Sequence, residues 1–172
     1  MSDMGYHSRV EEWKMVFKRL LMAAWKKLPI PFFARRWYTY LSNRRYPVGV
    51  DGVLLNDAGE VLIFHHTYRK TPWGVPSGWL GDEDPAVGLV REVREESGME
   101  IEITGVLDVR REVNVYGVKM LHITLKGRFS GGSFRRSAEV DDFMFAKPGE
   151  WPVGMFRDQR ERIAKYIEDG KL

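Results

Sequence analysis

Glu92, Glu95 and Glu96 stand at spacings of three and four residues inside a run, Pro85 to Met99, that reads as a helix. At about 100° of rotation per residue they project from one face, so three like charges crowd within one turn. Left alone the arrangement is destabilising. Carboxylate oxygens gathered in this way are what a hard divalent cation such as Mg2+ requires, usually together with substrate phosphates and retained waters. The chemistry available to such a face is charge neutralisation on phosphate oxygens and activation of a bound water. A solvated Glu/Arg surface is the plainer reading of the same three residues.

The helix that must carry them has a second side. Ala86, Leu89, Val90 and Val93 recur at helical spacing and can be buried while the carboxylates face outward. Asp84 followed by Pro85 is an N-cap followed by proline at the first helical position. Ser97-Gly98 supplies the stop. Gly88, one turn before Glu92, costs about 1 kcal/mol of helix stability against alanine, which points to a place where bulk is unwelcome, such as the approach of a phosphate chain.

The loop before this helix completes a pattern. Gly78, then Glu83, then Arg91-Glu92-Val93-Arg94-Glu95-Glu96-Ser97-Gly98-Met99 resembles the Nudix box: a glycine, five residues, a glutamate, seven residues, Arg-Glu, an aliphatic, any residue, Glu-Glu, any residue, glycine and an aliphatic. The second half matches at every specified position. The first half departs by one residue, since only Trp79 to Asp82 separate Gly78 from Glu83. Taking Asp84 as the loop acid restores the first spacing and shortens the second.

The resemblance to the Nudix hydrolase family implies an α/β/α sandwich around a mixed sheet and a Mg2+-dependent pyrophosphohydrolase, with Mn2+ as a substitute. By the same resemblance, Glu92, Glu95, Glu96 and the Gly78 carbonyl would ligate the metal, and Glu92 or Glu95 would orient or deprotonate the attacking water. Arg91 would hold the loop glutamate, Glu83. A later-loop carboxylate is matched best by Glu139. The substrates implied are nucleoside diphosphate derivatives: a nucleotide sugar such as ADP-ribose, a dinucleoside polyphosphate or an NTP. Tyr68, Trp73, Trp79, Tyr116 and Phe134 are the aromatic rings available to stack a base, Tyr116 lying near where dinucleoside polyphosphate hydrolases of the family carry a tyrosine. Lys70, Arg110, Arg111, Arg135 and Arg136 are cations that could meet further phosphates. Two rival readings remain: a non-catalytic binding module of the same fold, and a pyrophosphohydrolase of RNA 5′ ends that uses its basic extension.

The rest of the chain sets limits. Its 172 residues, 44% of them hydrophobic, suffice for one domain with an extension. It has no cysteine, which excludes disulfides, zinc-thiolate sites and thiol nucleophiles, and argues against the family's cysteine-dependent isomerases. Neither an apolar span of about 18 residues nor a signal-like h-region is present. A cytoplasmic protein is the simplest outcome.

The net charge of +3 hides an asymmetry: residues 1–46 carry ten Lys and Arg against three Asp and Glu, the remainder 17 against 21. Residues 1–45 therefore read as a basic helical extension and 46–172 as the Nudix-like domain. Val10 to Lys27 has the period of an amphipathic helix, with Trp13, Val16, Phe17, Leu20, Leu21, Ala24 and Trp25 on its apolar side. Phe32 to Leu41 is a second aromatic and basic segment. Packing on the domain, a homodimer formed through the extension, an anionic membrane surface and nucleic acid are the partners such a segment allows.

In the domain, Val48–Leu55 and Glu60–His66 read as strands joined by the turn Asn56-Asp57-Ala58-Gly59. Strand-like runs follow at Ile101–Val109, Val113–Val115, Val118–Phe129 and Val140–Ala146, and a closing helix at Met155–Ile167. His65 and His66, adjacent on a strand, point to opposite faces and read as packing residues. So does His122.

Overall fold

The computed structural model describes residues 13–20, 22–23, 31–114 and 117–172. The chain divides into two compact units, Met1–Arg45 and Tyr46–Leu172. In the first, residues 13–20 and 22–23 are helical, followed by α1 (Phe32–Ser42). The remaining parts of the expected Val10 to Lys27 helix lie outside the described residues.

The second unit is built on a seven-stranded sheet: β1 (Val48–Leu55), β2 (Val61–His66), β3 (Trp73–Gly74), β4 (Ser77–Trp79), β5 (Met99–Val113), β6 (Lys119–Gly132) and β7 (Val140–Ala146). The order β3-β2-β1-β6-β5 forms its main path, with β4 paired to β1 and β7 to β2. Among the described strand pairs only β1 and β6 run parallel, in register from Val48 opposite Leu121 to Leu55 opposite Arg128. The turn between β1 and β2 forms where its sequence demanded: the Asn56 Oδ1 accepts the N–H groups of Ala58 (3.0 Å) and Glu60 (2.9 Å), and Gly59 adopts a φ of 75°. The run expected at Ile101–Val109 extends as one long β5 to Val113, where the second expected piece began; Val115 lies outside the described residues. The short strands β3 and β4 carry no alternation that sequence could reveal.

Strand β2 explains the layering. Leu62 and Phe64 enter a cluster with Val50, Leu54, Leu89, Val93 and Leu125, while Val61 and Ile63 enter another with Val53, Val75, Ile163 and Tyr166. A strand apolar on both faces must be covered on both. Helix α2 (Pro85–Ser97) covers the first face and α3 (Arg157–Glu168) the second, giving the expected mixed α/β/α sandwich. No helix among the described residues is long and apolar enough to cross a membrane.

Candidate active site

Helix α2 starts at Pro85 as its sequence predicts, yet Asp84 makes no side-chain capping bond. Its end is the expected one: Gly98 takes a φ of 71° and its N–H donates to the Arg94 carbonyl at 2.9 Å. Leu89 and Val93 are fully buried against the sheet. The opposite face is thereby turned towards β4, which is paired to β1 with Gly78 opposite Val50.

Gly78 and Glu92 meet there. A Cβ on Gly78 would fall 2.4 Å from the Glu92 carboxyl carbon, so the glycine is what allows the carboxylate to lie against the strand backbone. Gly88 has a different explanation from a phosphate approach: it is buried, and a Cβ there would stand 2.3 Å from Leu80 Cδ2 and 3.3 Å from the Glu83 carboxylate. The returning loop packs on the helix at that point, and no room is left for ligand.

Arg91 decides between the two loop acids. Its Nη2 donates to Glu83 Oε1 at 2.6 Å and its Nε lies 3.2 and 3.3 Å from the two Glu83 oxygens. It also donates to Glu92 Oε1 and Glu95 Oε2, both at 3.0 Å. The Arg91 hydrogen bonds hold the Glu83 carboxyl below its usual range. Asp84 takes no part, so the shortened loop is accommodated with Glu83 in place.

A cleft of about 390 Å³ opens beside this face, lined among others by Gly78, Glu92, Glu96, Glu139, Tyr68 and Trp79. Glu139 is held at its mouth by local bonds. Ser137 Oγ accepts the N–H groups of Glu139 (3.2 Å) and Val140 (3.0 Å), and the Glu139 carbonyl accepts from the Thr67 N–H at 3.0 Å. Glu96 is 7% exposed and its Oε2 has no hydrogen-bond partner. Burial first, then the charges of Glu139 and Glu92, push its carboxyl up to about 7. Among the described residues no three acidic or histidine side chains converge on one ligating point. Like charges without a counterion spread apart, and Arg91 engages two of the helix carboxylates.

Several expected residues lie elsewhere. Glu95 is largely exposed, turned to Arg91 and not to the cleft. Trp73 sits on β3, opposite His65 of β2, with its ring edge-on to that histidine at 4.9 Å and packed against the second core cluster, so it does not line the cleft. Phe134 packs on Phe143 at 4.8 Å. Tyr116 lies outside the described residues. Arg110 is engaged by Thr124 Oγ1 (2.7 Å), Glu112 (3.1 Å) and Asp108 (3.4 Å), not by open solvent.

Sequence reasoning missed Arg69, Glu112 and His122, which all line the cleft. Arg69 is the only Lys or Arg among its described lining residues, and its Nη2 is held 3.1 Å from both Tyr68 Oη and Ser77 Oγ. His122, read as a packing residue, lies 2.9 Å through Nε2 from buried Asp51 and 2.9 Å through Nδ1 from Glu112. Burial pushes the Asp51 carboxyl up, but His122, Thr124 and Arg110 outweigh it and leave it below the usual range. The alternation Asp108, Arg110, Glu112 along one strand was the signal for this charged wall. His66, by contrast, is fully buried, as a packing residue should be, and burial drives its imidazole down to about 3, so it stays neutral.

The NUDIX domain family matches residues 45–166 of this chain. Nudix hydrolase 8 of Arabidopsis thaliana is 35% identical over 79 residues, 43% of this chain and 21% of the plant protein. A MutT-like protein of Streptomyces ambofaciens is 32% identical over 106 residues, 61% of this chain and 66% of that one. The chain therefore spans about a fifth of the length of its plant relative. The crystal structure of an ADP-ribose pyrophosphatase from Streptococcus suis superposes with a TM-score of 0.58 at 19% identity, over 74% of this chain and 94% of that one, a likeness of fold.

Proposed function

The chain belongs to the NUDIX family, and from that premise we propose that its cleft hydrolyses a phosphoanhydride bond in a nucleoside diphosphate derivative, with Mg2+ as the metal and ADP-ribose among the substrates. The observation that carries the reading is Glu96: a buried carboxylate with an unpartnered oxygen, facing Glu92 and Glu139 across one cleft. A buried negative charge without a partner is costly. With Glu92 and Glu139 lining the same cleft and Arg69 its one described lining cation, the excess of carboxylate suits a hard divalent ion.

Glu92, Glu96 and Glu139, with the Gly78 carbonyl, would hold the metal, and Glu95 would join them on leaving Arg91. Mg2+ when bound offsets phosphate charge and lowers the pKa of a water. The protein's own residues do the rest. Arg91 fixes Glu83, Glu92 and Glu95 in one arrangement, so the helix face is set before substrate arrives. Arg69, held by Tyr68 and Ser77, is aimed to take a phosphate oxygen. Trp79 and Tyr68 offer exposed rings at the cleft for a base. A cytoplasmic setting, where such nucleotides are made, suits the reading.

The likeness to a Streptococcus suis ADP-ribose pyrophosphatase makes that nucleotide sugar the first substrate to try. A panel of ADP-ribose, dinucleoside polyphosphates, NTPs and 5′-triphosphorylated RNA, assayed with Mg2+ and then with EDTA, tests the proposal. Metal-dependent release of a nucleoside monophosphate supports it. Binding of these ligands without turnover of any would replace it with the binding-module reading.

A further inference from the structure

We propose that the Met1–Arg45 unit binds anionic phospholipid surfaces, lying in the plane of the interface with its aromatic side inward. Residues 13–50 contain nine Lys and Arg and no Asp or Glu. The described helical segments within that stretch separate their two chemistries. In 13–20, Trp13, Phe17 and Leu20 share one stripe, and Lys14, Lys18 and Arg19 fall away from it. In α1, Phe33, Trp37 and Tyr40 recur at four and three residues and Arg35 lies opposite. All six of these apolar side chains are more than half exposed, and α1 buries no residue.

The geometry of α1 adds detail. Phe33, Arg36, Trp37 and Tyr40 line an open groove of about 410 Å³. The Arg45 guanidinium lies over the Tyr40 ring, 2.9 Å from its centroid, and donates to the Tyr40 carbonyl at 2.8 Å. Rings of this kind, amphipathic at one end, and arginines whose stems run along apolar surface settle at the headgroup level of a bilayer.

Charge selects the occupant. A second copy of this unit, which carries ten Lys and Arg against only Asp3, Glu11 and Glu12, would bring cations largely against cations. Single-stranded nucleic acid is held where cations and rings interleave on one face; Arg36 and Arg45 meet the rings of α1, but in 13–20 Lys14, Lys18 and Arg19 stand apart from the apolar stripe, which favours the lipid. An anionic lipid surface takes the aromatic stripe into its interface and the flanking cations at its headgroups, each cation near the surface strengthening binding about fivefold. This inference does not rest on the proposed hydrolysis.

The test is sedimentation of the full chain with vesicles of phosphatidylcholine alone or with a third phosphatidylglycerol. Binding should appear with the anionic vesicles and fall by about tenfold when salt rises to about 0.5 M. Phe33→Ser with Trp37→Ser should weaken it by about tenfold or more by removing inserted apolar area, and Lys14→Gln, Lys18→Gln and Arg19→Gln together by about a hundredfold through charge alone. The melting temperature should stay unchanged in both variants. The proposal is overturned if the full chain ignores anionic vesicles at low salt, binds neutral ones equally well, retains its binding in both variants, or is stripped from vesicles by a single-stranded RNA that occupies the same residues.

Discussion

Arg91 grips Glu83 with two nitrogens, Nη2 at 2.6 Å and Nε within 3.3 Å of both carboxylate oxygens, across a loop one residue shorter than the family pattern. The same guanidinium reaches Glu92 and Glu95. Lysine offers one point of contact where arginine offers a planar fork. Arg91→Lys should therefore leave the fold in place, because the pairs are partly exposed, and cost about 10- to 100-fold in kcat/KM through a misplaced carboxylate face. Steady-state kinetics beside a melting curve would check this. Unchanged kcat/KM would remove Arg91 from the machinery.

Gly78→Ala separates position from stability. The added Cβ meets only the flexible end of Glu92, so the side chain can swing away at a cost of about 1 kcal/mol or less. The carboxylate is then displaced from the strand. Activity should fall by about 100-fold, with the melting temperature within a few degrees of the parent.

Glu96→Gln should stabilise the metal-free protein while lowering turnover. Glu96 titrates near 7 in the fold against an ordinary 4.5, so its folded state holds the proton more tightly. Its ionisation costs nothing below pH 4.5, costs progressively more up to pH 7, and is fully felt above that. The variant's advantage should be absent at pH 4 and reach up to about 3 kcal/mol at pH 8. Denaturant melts at the two pH values test it, and Mg2+ should erase the difference by stabilising only the parent. Turnover should drop about 10²- to 10⁴-fold.

Asp51→Asn tests the opposite wall. Asp51 is 2% exposed and lies 2.9 Å from His122, 3.5 Å from Arg162 and 3.7 Å from Arg110. Removing its charge takes a buried partner from Arg110 and Arg162, which are themselves only partly exposed, a loss of about 3 kcal/mol at neutral pH. Because its folded pKa is depressed, the parent loses this contribution only as pH falls below the ordinary value of 3.8 and through the lower folded one. Parent and variant should converge in stability there.

Hydrolysis in ¹⁸O-water should place the label on a phosphate product, since water attacks phosphorus in the proposed reaction. EDTA should abolish turnover. Label on a sugar hydroxyl would falsify the mechanism.

How far the chain could be read follows from the range of the interactions involved. Helix α2 was legible from its first residue to its stop, because its signals lie within it: Pro85 at the start, Leu89 and Val93 inward, Gly98 at the end. Strand β7 runs over Val140–Ala146, as its apolar run indicated. Gly88 misled because its neighbour, Leu80, arrives from a loop that no periodicity predicts. His122 misled for the same reason: a strand histidine looks like packing until β1 brings Asp51 beside it. Trp73 and Trp79 looked equivalent in sequence, but Trp73 packs against the second core cluster while Trp79 lines the cleft.

The parallel pairing of β1 with β6 carries a temporal consequence. Val48 to Leu55 must find Leu121 to Arg128, partners about seventy residues away, and such non-local closure slows folding. The cleft takes Gly49 and Val50 from the first of these strands and Met120 and His122 from the second or its start. During synthesis the box helix will have left the ribosome well before β6 exists to complete the pocket around it. A nascent chain halted before residue 128 should therefore bind neither nucleotide nor Mg2+ with the affinity of the finished protein, and competence should arrive late and abruptly, with the middle of the sheet.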